Sequence, residues 1–393
     1  MNFDTVIDRK GTYCTQWDYV KDRFGKDGLL PFTISDMDFQ APKEIIEVLI
    51  KRVNHGVFGY SRWNHEDFKN SIEFWYKSRF NYQIDKEWIL YAPSVIYSVA
   101  KFIEMKSGKG DGVLIFTPAY DGFFKVIGDN DRKIISSPLI KNGNNYEVDF
   151  EDFEKKVSSN DINLFILCSP HNPVGRVWKE EELKKMADLC LKYNVRIIAD
   201  EIWRDIIMPG FKHIPIASLS KEVENITITC FSPTKTFNIA GLQASFVTFP
   251  RREEWEMFDT ELGILDIKRN SPFSLVAFET GYTKCDEWVD ELVEHLSGNM
   301  DYVINFIKEK IPEVKVRKPE GTYLMWLDFS ALRMSKEELS KFMQEKAKIA
   351  LDDGYWFGQT GEGFERMNIA CPRYMVEEGM KRIEKAIKEW RNK

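Results

Sequence analysis

The sequence predicts an α/β protein: a mostly parallel central sheet flanked by helices, with a smaller α+β domain beside it. Short apolar runs rich in β-branched residues at 112–116, 164–168, 195–199 and 226–231 read as buried strands. Between two of them, 180–192 carries Leu183, Met186, Ala187 and Cys190 at helical spacing. A strand–helix–strand rhythm of this kind builds a parallel sheet covered on both faces. Beyond residue 285 the character changes, with amphipathic helices expected at 286–310, 335–348 and 376–392 around a strand-like 321–329. The expected division is a large domain at 46–285 and a small one made of 1–45 with 286–393. The first 45 residues show no core of their own, so they are expected to pack on the small domain or on a partner subunit.

Composition narrows the classes of function. The 393 residues are 43% hydrophobic and 30% charged, ordinary for a globular fold, while 14% aromatic content with 11 Trp hints at aromatic-lined pockets or interfaces. A net charge of -7 opposes a nucleic-acid or anionic-membrane partner, which would need clustered Lys and Arg. The six cysteines are scattered without a Cys-x-x-Cys pair and read as buried reduced thiols. The N-terminal residues lack the apolar core of a signal peptide, and no apolar stretch approaches ~18 residues, so a cytoplasmic protein is expected. The five histidines have no ligand spacing, so no metal site is expected, and no glycine-rich nucleotide loop is present.

Each predicted strand ends in a polar cluster: Thr117-Pro118-Ala119-Tyr120, Ser169-Pro170-His171-Asn172-Pro173, Asp200-Glu201 and Ser232-Pro233-Thr234-Lys235. Ligands of open α/β sheets bind at the carboxyl ends of strands, so these clusters converge on one site. Lys235, flanked by hydroxyls in an apolar setting, suits an aldehyde, and the hydroxyls suit a phosphate; partial desolvation would lower its pKa. Asp200 at the mouth of a buried strand can keep a pyridine nitrogen protonated, although a helix N-cap is an equal reading. Asn172, extended because it precedes Pro173, can aim its amide into the cleft, or simply form a turn. Tyr120 can stack on a ring or belong to the core. Arg373, ending the apolar run Asn368-Ile369-Ala370-Cys371-Pro372, offers a fork for a carboxylate, with a surface ion pair as the alternative.

In this order the clusters resemble the fold-type I pyridoxal-phosphate (PLP) enzymes of the class I/II aminotransferase superfamily, and within them the MalY/PatB type of carbon–sulfur β-lyase, which includes cystathionine β-lyase and cystalysin. The resemblance spans almost the whole chain, through Asp36-Met37-Asp38-Phe39, Phe58-Gly59-Tyr60, Thr117 to Tyr120, Ser169 to Arg176, Asp200-Glu201-Ile202, Thr234 to Leu242, Glu320-Gly321-Thr322-Tyr323 and Arg366 to Arg373. It implies Lys235 as the Schiff-base lysine, Asp200 at the pyridine nitrogen, Asn172 at the ring oxygen and Tyr120 on the ring. It implies phosphate contacts from Ser232, Thr234 and the backbone of Ser94, Val95 and Ile96, with Tyr60 supplied by the second subunit of a homodimer. Arg373 would hold the substrate carboxylate.

Three residues depart from the pattern. Trp203 stands where aminotransferases have Tyr and these lyases usually have His, which puts its contact with the ring oxygen in question. Gln243 replaces a phosphate-binding Arg of typical aminotransferases, which favours the lyase branch. Tyr97 replaces an expected proline in the phosphate turn.

The leading expectation is β-elimination from an L-cysteine S-conjugate such as L-cystathionine, giving a thiol, pyruvate and ammonia. Transamination between an amino acid and a 2-oxo acid is the second reading. A regulatory protein built on a PLP-enzyme fold is the third, although no basic helix-turn-helix segment precedes the domain.

Overall fold

Alternation of side chains along the buried strands organises the core. The computed structural model describes residues 2–159 and 161–392. Its large sheet has seven strands: β1 (Ile89–Ala92), β2 (Gly112–Thr117), β3 (Lys133–Pro138), β4 (Ile162–Cys168), β5 (Arg196–Asp200), β6 (Thr227–Phe231) and β7 (Ser245–Thr248). Their order is β1-β7-β6-β5-β4-β2-β3, and only β7 runs antiparallel to its neighbours. Successive residues point to opposite faces. Leu114, Phe116, Phe165, Leu167, Ile197 and Ala199 pack with Leu183, Met186, Ala187 and Cys190 of one helix. Val113, Ile115, Leu164, Ile166, Ile198 and Ile228 pack on the other side with Val99, Phe102 and Ile103.

The helices that matter to the site are α1 (Lys43–His55), α2 (Val95–Lys106), α3 (Asp121–Asp129), α4 (Glu180–Lys192), α5 (Asp286–Lys310) and α6 (Arg373–Arg391). Helix α4 has the span that its apolar spacing predicts, and its start is fixed by Glu182, whose carboxylate accepts the Lys179 N–H at 2.9 Å.

A second sheet joins β8 (Lys315–Val316), β9 (Leu324–Asp328), β10 (Asp352–Asp353) and β11 (Phe364–Asn368) in the antiparallel order β8-β9-β11-β10. Leu30–Pro31 pairs in parallel with Ile349–Ala350, which ties the N-terminal segment to this part of the chain. The helix expected over 335–348 runs as α-helix over Lys336–Phe342, loosens into a π-turn at Met343–Ala347 and stops at Lys348, whose φ is 57°. No described helix is long and apolar enough to cross a membrane.

Candidate active site

The carboxyl ends of β2, β4, β5 and β6 open on one cavity of about 460 Å³, lined among others by Tyr120, Asn172, Asp200, Trp203, Ser232, Thr234 and Lys235. Four separate polar clusters of the sequence therefore meet at one edge of the sheet, as the topology requires.

Lys235 leaves β6 through a turn and lies half-buried, its Nζ donating to the Ser35 carbonyl at 2.6 Å. Desolvation brings its amine down to about 8, against the attraction of Asp36 and Asp200 and with the repulsion of Arg366. The carbonyl it meets is firmly held. Tyr323 Oη donates to it at 2.8 Å, and Asn368 Nδ2 donates to the flanking Ile34 and Asp36 carbonyls at 3.1 and 2.6 Å. Ile34 has a φ of 61°, a left-handed conformation costly for a β-branched residue, which persists because these bonds over-determine it.

Asp200 ends β5 between Cys168 and Cys230 of the adjoining strands. Burial among such neighbours pushes its carboxyl up to about 7; the Ile202 N–H, donating at 3.1 Å, opposes this, Glu201 reinforces it, and Lys235 opposes it. A buried carboxylate in this condition calls for a cation beside it. At the far end of the cavity, α2 begins at Val95. Ser94 Oγ accepts the Tyr97 N–H at 3.2 Å, and the N–H groups of Val95 and Ile96, which have no partner within the helix, belong to residues lining the cavity. Such a helix start binds anions. Ser232 and Thr234 join the lining, their hydroxyls 2.9 Å apart, with Ser232 Oγ also donating to the Ala244 carbonyl at 2.7 Å. The Tyr97 ring turns away to meet Phe258 edge-on, so its presence in place of proline leaves the helix start intact.

Tyr120 stands at the head of α3 with its ring over Gly122. A Cβ there would lie 2.4 Å from a ring carbon, so glycine makes room for the aromatic wall. Burial raises the Tyr120 hydroxyl to about 12. Trp203, almost wholly buried, meets Tyr323 edge-to-face at 4.7 Å and forms another wall. Asn172 Oδ1 accepts from Arg366 Nη1 at 2.8 Å, which fixes the amide with its NH2 group free to donate elsewhere.

One sequence expectation falls elsewhere, and a second concerns a residue expected from a partner subunit. Arg373 is the first residue of α6; its Nε donates to Asn299 Oδ1 at 2.7 Å and its guanidinium lies over Tyr302, away from the cavity lining. The arginine that bonds to a lining residue is Arg366, seven residues earlier on β11, where register with β9 and β10 buries it behind Asn172. Tyr60 is 87% exposed, stacks under Arg269 at 4.5 Å and is no part of the cavity of its own chain. Ser35, which seats the lysine through its carbonyl, had no signal in the sequence beyond its nearness to the Asp36-Met37-Asp38-Phe39 stretch, and Tyr323, though inside a matching stretch, had no role assigned there.

The model of the family described as aminotransferase class I and II matches residues 27–383. The chain belongs to the class I and II aminotransferase family. Within this family, cystathionine β-lyase PatB of Bacillus subtilis is 38% identical over 387 residues, covering 98% of this chain and all of PatB. Among solved structures, a PLP-bound protein of Clostridium difficile 630, provisionally described as an aminotransferase, superposes with a TM-score of 0.96 at 46% identity, over 98% of this chain and 99% of that one. Cystalysin of Treponema denticola, whose structure contains PLP, gives a TM-score of 0.94 at 36% identity over 99% of both chains. The class I and II fold accounts for the mixed sheet and for the position of the cavity at its carboxyl edge.

Proposed function

We propose that the protein is a PLP-dependent carbon–sulfur β-lyase that converts an L-cysteine S-conjugate such as L-cystathionine, with water, into a thiol, pyruvate and ammonia. The observation that carries this reading is the meeting of a near-neutral lysine, a buried carboxylate and a free helix start in one cavity of a chain that matches PatB from end to end. These are complements to an aldehyde, a pyridine nitrogen and a phosphate. The residues fit PLP.

Lys235 would supply the amine that holds the cofactor, and as a free amine it would take the substrate Cα proton, for which a pKa of about 8 suits it. PLP, when bound, supplies an electron sink for the charge left on Cα. Asp200 would present its carboxylate to the pyridine nitrogen and keep that nitrogen protonated. Val95 and Ile96 N–H groups with the Ser232 and Thr234 hydroxyls would hold the phosphate, and Tyr120 would supply an aromatic wall for the ring. Asn172 would donate its amide N–H to the ring oxygen, since its Oδ1 is occupied by Arg366. Arg366, in place of Arg373, holds the substrate carboxylate.

A homodimer is part of the same reading. Ile50 and Val53 of α1, Val57, Phe58 and Tyr60 form an exposed apolar strip, and Phe58 lies against Phe273 at 5.6 Å. A second copy covering this strip would bring its Tyr60 to the phosphate end of the neighbouring cavity. A cytoplasmic setting is supported by six buried free cysteines. The division at residues 45 and 285, with its two sheets on either side, would let the parts close over substrate.

The deciding experiment incubates PLP-loaded protein with cystathionine and S-alkyl cysteines and measures thiol and pyruvate. Release of both, with ammonia and without any added 2-oxo acid, is expected. Turnover that requires a 2-oxo acid and delivers the amino group to it would instead select transamination.

A further inference from the structure

We propose that Asp352 is a positioning residue for Arg366, setting the orientation of the guanidinium that receives the substrate carboxylate, with Arg23 of the N-terminal segment as its second anchor. The inference rests on the carboxylate role given to Arg366 above.

Asp352 and Arg366 are directly opposite each other on β10 and β11. Arg366 Nη2 donates to Asp352 Oδ2 at 2.6 Å, with both side chains almost fully buried. The other oxygen of Asp352 accepts from Arg23 Nη2 at 3.2 Å, and Arg23 Nη1 is itself held by Thr33 Oγ1 at 2.9 Å. The guanidinium of Arg366 thus has one end on Asp352 and the other on Asn172 Oδ1, and one face lies 4.6 Å from the centre of the Phe357 ring. A planar fork fixed at both ends and on one face has one orientation left for an incoming carboxylate.

The charge count suits the task. Two arginines share one aspartate, so the trio of Arg23, Asp352 and Arg366 carries a net positive charge towards a substrate anion. Asp352 orients the cation without neutralising the group. Its negative charge nevertheless opposes a second carboxylate, which gives the proposal a sign. If Asp352 acted only through its charge, its removal would tighten amino-acid binding. If it acts by orientation, removal loosens binding.

The test titrates the PLP-loaded enzyme with glycine and, separately, with methylamine, reading the absorbance of the bound cofactor. Asp352→Asn is expected to raise the glycine dissociation constant by about tenfold or more and to leave that of methylamine, which has no carboxylate, within about twofold. Asp352→Glu, which keeps the charge on a longer arm, is expected to recover part of the loss. An unchanged or tighter glycine constant in Asp352→Asn, or an equal loss for both ligands, overturns the proposal. Arg366→Lys separates this from the underlying reading. If that variant leaves glycine binding unchanged, the carboxylate role of Arg366 is wrong; if it weakens glycine while Asp352→Asn does not, only the positioning role is wrong. Should Asp352→Asn fail to fold, Arg23→Gln at the more exposed end of the pair reads the same quantity. An unchanged glycine constant there defeats the proposal as well.

Discussion

At Lys235 desolvation outweighs the nearby carboxylates: it brings the amine from 10.5 down to about 8, and Asp36 and Asp200 keep it from falling further. The neutral amine is the nucleophile. Uptake of PLP by cofactor-free protein is therefore expected to accelerate by about tenfold per pH unit up to about pH 8 and then level off, as followed by cofactor absorbance. Lys235→Ala is expected to abolish the covalent absorbance band and to lower pyruvate release by about a hundred- to ten-thousand-fold. Asp200 gives a prediction of opposite slope. Its carboxyl is raised from 3.8 to about 7, so the folded cofactor-free protein holds a proton there that the unfolded chain has released. This contribution to stability is fully present below pH 3.8 and is lost as pH rises through about 7. Chemical denaturation of Asp200→Asn is expected to lack that decline; the same decline in both proteins would assign it to other groups.

At the scale of elements, the helix starts carry the site. Tyr120 lies over Gly122 because nothing projects from that position. Gly122→Ala forces the ring aside, with an expected loss of about 1–3 kcal/mol in thermal denaturation and weaker retention of PLP on dialysis. What could be read from the sequence follows the same scale. Strands β4 and β5 and helices α4 and α5 were legible because their apolar periodicity is uninterrupted, and Lys235, Asp200, Asn172 and Tyr120 because each closes such a run. The choice between Arg366 and Arg373 was not legible. Arg366 lies inside the alternation Phe364-Glu365-Arg366-Met367-Asn368, where strand register alone tells which face a residue takes, whereas Arg373 follows a proline and looks like a terminus. The loosening of the helix into a π-turn after Phe342 was equally hidden, since the chain leaves it to draw Ile349–Ala350 into a ladder with Leu30–Pro31 from more than three hundred residues away.

For the molecule as a whole, the exposed strip of Ile50, Val53, Val57, Phe58 and Tyr60 carries the expectation of a homodimer. Val53→Asp with Phe58→Asp is expected to shift sedimentation to the monomer and to weaken PLP binding, because the phosphate end would lose the neighbour's Tyr60; a monomeric wild type would end this reading. The N-terminal segment is joined to the site by another route. Arg9 pairs with Asp36 and Asp38 at 2.7 and 2.8 Å, and the strand of chain between them and Ile34 provides the carbonyl that seats Lys235. That seat is main chain, and every amino acid at position 35 brings the same oxygen. Sequence drift at Ser35 should therefore be tolerated as far as the lysine is concerned, while the tolerance of Asn368 and Tyr323, whose side chains hold that main chain and never touch the reacting amine, should be narrow.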